Sequence, residues 1–183
     1  MRSTPSLFKS RETLALLAAC CIFLAMIEYI IPKPILFIRY GIANIPIMVS
    51  LKIFSPRMTM ALVFLKIIGQ GIITGTLFSY IFLFSLSGSL ASGIAMIIIY
   101  RICKDKISMV GVSITGAFAS NTVQLIIAKY LIFGKAAILM APPVLIIGIV
   151  TSLFTGIFAE LFISKSQWLK TKLSIQGQYA EKY

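Results

Sequence analysis

Seven polar side chains stand inside long apolar stretches, and their types suit the capture of a small solute: Glu28, Arg39, Asn44, Lys66, Gln70, Asn121 and Gln124. Placing such groups in hydrocarbon costs several kcal/mol each unless they pair or meet water. Glu28 and Arg39 flank the first predicted loop, where a carboxylate and a guanidinium would form an ion pair. Lys66 and Gln70 are spaced i, i+4, and Asn121 and Gln124 i, i+3, so each pair shares a helix face. Glu28, Arg39, Asn44, Asn121 and Gln124 fall at similar predicted depth and are expected to converge on one outward-facing cavity. Lys66 falls near mid-depth, where an ammonium needs a partner or a water-filled path. Tyr40 is a further candidate, as a stacking surface in the same pocket. The competing reading is structural: amides in membrane helices serve as interhelical glue, and Lys33 and Lys129 snorkel to the outer interface.

The elements that must position these groups follow from composition. The 183 residues are 59% hydrophobic and 12% charged, with a mean hydropathy of +1.00, too apolar for a water-facing surface. Apolar runs of about 18 to 25 residues match the roughly 30 Å hydrocarbon core of a bilayer. Six are predicted, at about 13–31, 35–54, 58–84, 88–102, 107–133 and 136–163. They are helices, because an open sheet edge cannot be satisfied in lipid. The expected fold is an all-α integral membrane bundle of six transmembrane helices in one domain, 13–163. A segment 1–12 and a basic tail 164–183 flank it. Gly71 and Gly75 read as a small-xxx-small packing step within the third span.

Basic residues set the expected orientation. With six spans, twelve of the 17 Lys and Arg fall on the side of the termini: Arg2, Lys9, Arg11, Lys52, Arg57, Arg101, Lys104, Lys106, Lys165, Lys170, Lys172 and Lys182. Four fall opposite: Lys33, Arg39, Lys129 and Lys135. Both termini are therefore expected in the cytoplasm, in a multi-pass cell-membrane protein. The tail reads as an interfacial anchor and a frayed end around Trp168.

Several functions are disfavoured. The net charge of +12 belongs to membrane topology and anionic lipid contact rather than nucleic acid, since the basic clusters are short and lie between apolar runs. There is no histidine, and Cys20, Cys21 and Cys103 have no metal-ligand spacing. The five acids, Glu12, Glu28, Asp105, Glu160 and Glu181, form no cluster of the kind that holds magnesium and diphosphate. No Gly-rich loop is followed by Lys and Ser or Thr, so an energised process would need a partner ATPase. No cofactor, metal or catalytic residue is expected.

The segments "IPKPILFIRYGIANIPIMVSL" (31–51), "SLSGSLAS" (85–92) and "ISMVGVSITGAFASNTVQLIIAKYL" (107–131) resemble the heptaprenyl diphosphate synthase component I family, also called the Gx transporter family. That family is similar to the substrate-binding S components of energy-coupling-factor vitamin transporters. The family's Gly-Leu-Ala-Asn step falls on Gly41, Ile42, Ala43 and Asn44, and its Gly-Val-Ser…Gly-Ala run on Gly111, Val112, Ser113, Gly116 and Ala117. Two positions depart: a His-Asn pair reads Ser120-Asn121, and an expected Arg is Lys66, which keeps the charge without the bidentate fork. The resemblance implies a prokaryotic substrate-capture subunit for a vitamin-sized solute, such as a flavin or a quinone-related compound. It also implies a membrane coupling subunit and ATPases as partners, met through small residues on the first helix, here Ala15, Ala18 and Ala19. The alternative it leaves open is a non-catalytic membrane subunit beside isoprenoid or quinone biosynthesis, or in a membrane redox complex.

Overall fold

The computed structural model describes residues 5–31, 40–103 and 106–171, with side chains described from residue 11 onward. Among these residues every regular element is helical. The long helices are α1 (Pro5–Ile30), α3 (Pro56–Ile73), α4 (Tyr80–Cys103), α5 (Met109–Ala128) and α6 (Ala137–Lys165); a short α2 (Ile45–Ile53) lies between α1 and α3. A 3-10 turn, Ile42–Asn44, leads into α2.

Four apolar helical runs are long enough to cross a membrane: Arg11–Ile30, Pro56–Ile73, Tyr80–Cys103 and Met109–Lys165. The last run holds both α5 and α6. Gly134, at φ 54° and ψ −131°, breaks it with a backbone that L side chains rarely adopt. The two helices then fold back on each other, antiparallel, because Met109 meets Glu160, Ser113 meets Thr155 and Asn121 meets Val144. By contrast, the apolar helical stretch Ile42–Ile53 rises only about 18 Å at 1.5 Å per residue, well short of the roughly 30 Å hydrocarbon core. The first part of the predicted second span, 35–39, lies outside the described residues.

The bundle's outward face is apolar. Phe23 is 63% exposed, Phe154 71% and Leu139 81%. An apolar perimeter of this extent needs a lipid solvent, and the chain is a membrane protein. Inside, α2 is surrounded: Ile47, Met48, Val49 and Ser50 are almost completely buried, packed with Cys21, Leu62, Val63 and Val112.

Two boundaries differ from expectation. The predicted third span continued to residue 84, but α3 stops at Ile73 and α4 begins at Tyr80. Thr74-Gly75-Thr76 turns the chain there, with Gly75 at φ 66°. Apolar Leu77 and Phe78 keep hydropathy high through the turn and hide it. Gly75 is therefore not part of a packing step, while Gly71 makes room for Leu77 and Phe82. The fourth span, expected to be short, has 24 residues. Beyond α6, Leu169 is fully buried in the main core, so this part of the tail docks on the bundle.

Candidate functional site

The polar groups gather around one internal cavity of about 40 Å³ to which every helix except α2 contributes. From α1 comes Glu28, 8% exposed. Its Oε1 accepts from the Gly41 N–H at 3.3 Å and its Oε2, more distantly, from the Ala43 N–H at 3.5 Å. These amides belong to the start of the 3-10 turn, whose first N–H groups have no partner within the turn itself. The carboxylate thus acts as an external cap that holds the turn against α1. Gly41 has φ 77° and ψ 10°, left-handed, and this lets Tyr40 and Asn44 both reach the cavity wall.

From α3 come Lys66 and Gln70. Lys66 is 4% exposed, and its Nζ donates to Asn44 Oδ1 at 2.5 Å. Hydrogen bonds to a charged group are the short, strong ones, and a buried ammonium without such partners would be costly. The sequence Glu28, turn, Asn44, Lys66 therefore ties α1 to α3 across the cavity mouth.

The opposite wall is built of hydroxyls. Ser89 and Ser92 of α4, Ser113 and Ser120 of α5, and Thr151, Ser152 and Thr155 of α6 line it. Ser113 Oγ and Thr155 Oγ1 share a hydrogen bond of 3.0 Å across the α5–α6 hairpin. Ser92 Oγ is buried with no protein partner among the described residues, so a water or a ligand atom must satisfy it. None of these hydroxyls was among the binding candidates read from sequence, although Ser113 and Ser120 fall within the family resemblance. The signal that would have found them is helical spacing: Ser85, Ser89 and Ser92 at i, i+4, i+7, and Thr151 and Thr155 at i, i+4.

Asn121 also lines the cavity. Its Nδ2 donates to the Val144 carbonyl at 3.4 Å, and it lies so close to Gly148 that a Cβ there would fall 1.9 Å from Nδ2. Asn121 is thus both cavity wall and helix contact. Gln124 is placed elsewhere. It is 2% exposed, donates to Ser120 Oγ at 3.0 Å, and lies over Gly88 of α4. Its other neighbours are apolar, around a void of about 10 Å³ lined by Ala128, Ala137 and Val144. Three residues advance a helix by about 300°, so Gln124 points about 60° away from Asn121; that offset takes it off the cavity.

Six of the eight substrate-binding candidates therefore meet at one cavity: Glu28, Tyr40, Asn44, Lys66, Gln70 and Asn121. Arg39 lies outside the described residues, and with it the expected Glu28–Arg39 pair. Tyr80 is 59% exposed and stands apart from the cavity. On α1, Ala15 and Ala19 are exposed while Ala18 is 8% exposed and faces the bundle. Glu160 accepts from the Met109 N–H at 2.6 Å. It caps α5 from the far end of the hairpin. Among the described residues, no three His, Cys, Asp or Glu side chains stand close enough together to hold a metal ion.

The match that decides the family covers residues 17–162 and is to the model described as heptaprenyl diphosphate synthase component I. The chain belongs to the heptaprenyl diphosphate synthase component I family. The matched stretch includes Glu28, the 3-10 turn, Lys66 and the whole hydroxyl wall, so the cavity lies within the family's shared domain. No curated protein and no solved structure matches the chain.

Proposed function

We propose that the chain is the membrane-embedded substrate-binding subunit of a small-molecule importer, similar to the S components of energy-coupling-factor transporters. In this reading it spans the membrane six times, with both termini in the cytoplasm. The distribution of basic residues, twelve against four, supports that orientation. α2 falls within the second of these spans.

The observation that carries the reading is the convergence of Glu28, Asn44, Lys66, Gln70 and Asn121, from three helices and the 3-10 turn, with seven hydroxyls on one buried cavity. Glue between two helices needs one or two such groups; a dozen around a common space is what solute recognition needs. The cavity's size makes this state a closed one. About 40 Å³ holds about three waters, taking the 10–15 Å³ of such volume that one water needs. A vitamin-sized solute requires the Ile42–Asn44 turn to part from Glu28, and the two long hydrogen bonds at 3.3 and 3.5 Å are the contacts to break. The chain is non-catalytic in this reading. A membrane coupling subunit, reached through the Ala15 and Ala19 face of α1, and its ATPases supply the energy.

The second reading is an accessory, non-catalytic membrane subunit of an isoprenoid or quinone pathway, and the family's own description favours it. Native mass spectrometry of the protein taken directly from its host membrane separates the two. The importer reading expects one stoichiometric small molecule, lost from Asn44→Ala and Asn121→Ala. A preparation that is empty, and remains empty against a panel of vitamins and quinone precursors, removes it in favour of the accessory subunit.

A further inference from the structure

A second cavity, about 440 Å³, lies between α1, α2 and α6 and is almost entirely apolar. Leu24 of α1, Ile45 and Val49 of α2, and Phe154, Phe158 and Phe162 of α6 form its walls. The three phenylalanines are spaced i, i+4, i+8, one stripe along α6. The short α2 forms its floor through Ile45, Pro46 and Val49, between the longer α1 and α6.

Two features form the wall between this groove and the polar cavity. Thr155 lines both. The 3-10 turn also borders both, with Ile42 on the groove side and Ala43 and Asn44 on the cavity side. The volumes are very unequal, about 440 Å³ apolar against about 40 Å³ polar. Only the larger lies in the range of 300–1,000 Å³ that ligand-sized pockets occupy. Among the described residues, the polar part carries one carboxylate and one ammonium, Glu28 and Lys66, whose charges offset each other. A ligand matching both spaces is therefore mostly apolar and ends in a small, uncharged group that hydrogen-bonds.

We infer that the substrate is a single-chain amphiphile with a small uncharged head, such as a long-chain alcohol, entering sideways from the bilayer. Its chain lies in the groove along the phenylalanine stripe, and its head passes Thr155 to the hydroxyl wall. A hydroxyl both donates and accepts, so it can bond Ser92 Oγ, which has no protein partner among the described residues. The charged head of a phospholipid does not fit the polar end, about 40 Å³. This inference rests on the substrate-binding reading and names the substrate class for it.

The test uses the full chain in phospholipid nanodiscs, with 1-hexadecanol and hexadecane as probes and native mass spectrometry as the readout. One hexadecanol per chain is expected, retained at least tenfold better than hexadecane. Leu24→Trp, on the lipid-facing wall of the groove, should cut retention about tenfold. Thr155→Val should lower hexadecanol to the hexadecane level and leave hexadecane unchanged. Equal retention of both probes, or hexadecanol binding indifferent to both variants, means ordinary bilayer occupancy and overturns the inference. If hexadecanol fails while a water-soluble solute binds and is lost on Asn44→Ala, the inference falls and the importer reading stands. If neither probe nor solute binds, both fall.

Discussion

Two glycines of α6 approach α5 closely, and the obstacle each faces is of a different kind. A Cβ at Gly148 would lie 1.9 Å from Asn121 Nδ2, a side-chain atom. A Cβ at Gly156 would lie 2.6 Å from the Cα of Val110 and 3.2 Å from its N, which are backbone. Gly156→Ala therefore cannot be relieved by a rotamer change. To bring that contact to the 3.4 Å at which ordinary contact begins, the helices must part by about 0.8 Å. Overpacking of this kind costs about 1–3 kcal/mol, and the better helix propensity of Ala returns about 1 kcal/mol. The expected net loss is about 0–2 kcal/mol. Gly148→Ala should cost a similar amount, because it displaces the Asn121 amide from the Val144 carbonyl. The distinction appears in double-mutant cycles. In an Asn121→Ala background, Gly148→Ala meets no amide and should become neutral or slightly stabilising, a coupling of about 1–3 kcal/mol. In a Ser113→Ala background, Gly156→Ala should stay as costly as before, within about 0.5 kcal/mol. Reversible unfolding in mixed micelles, followed by circular dichroism, reads all six variants. If Gly148→Ala destabilises equally with and without Asn121, the close packing of α5 on α6 at the cavity is wrong.

Removing the carboxylate in Glu160→Ala should destabilise by about 1 kcal/mol through loss of the α5 cap, and Glu160→Gln should recover about half of that; the same unfolding assay checks both. Leu169→Ala should cost about 2 kcal/mol or more, as for a buried leucine, whereas a frayed tail would give no change in the midpoint. A lipophilic maleimide should label the exposed Cys20 in the folded protein and reach the buried Cys21 only after denaturation, as read by peptide mass spectrometry.

Charged and amide side chains at depth were legible in the sequence because their burial is expensive, so Glu28, Asn44, Lys66 and Asn121 stood out against hydrocarbon. The serines and threonines were not, because a hydroxyl in a helix can satisfy itself on its own backbone. Ser152 donates to the Ile149 carbonyl and Thr151 to that of Gly148, so such residues raise no alarm by type alone. Gln124 shows the limit of counting by face. An i, i+3 pair is adjacent without being coincident, and the remaining rotation turned it toward Gly88. Helix identity followed from apolar run length, but the end of α3 did not, since a glycine turn flanked by apolar residues leaves hydropathy unchanged. The groove beside α2 was invisible in the sequence, because it depends on how a short helix sits among longer ones.

The enclosure of α2 has a consequence for how such a sequence can drift. Perimeter positions such as Phe23 and Phe118 face lipid, a fluid that accommodates any apolar shape, so Leu, Ile, Phe and Val are nearly interchangeable there. Ile47, Met48 and Ser50 are enclosed by protein, and each neighbour is itself fixed in volume. The most apolar and longest helices are then the freest to vary, and the shortest is the most constrained. Divergence among relatives should accumulate around the rim and thin out toward α2, the reverse of what a hydropathy profile would rank as important.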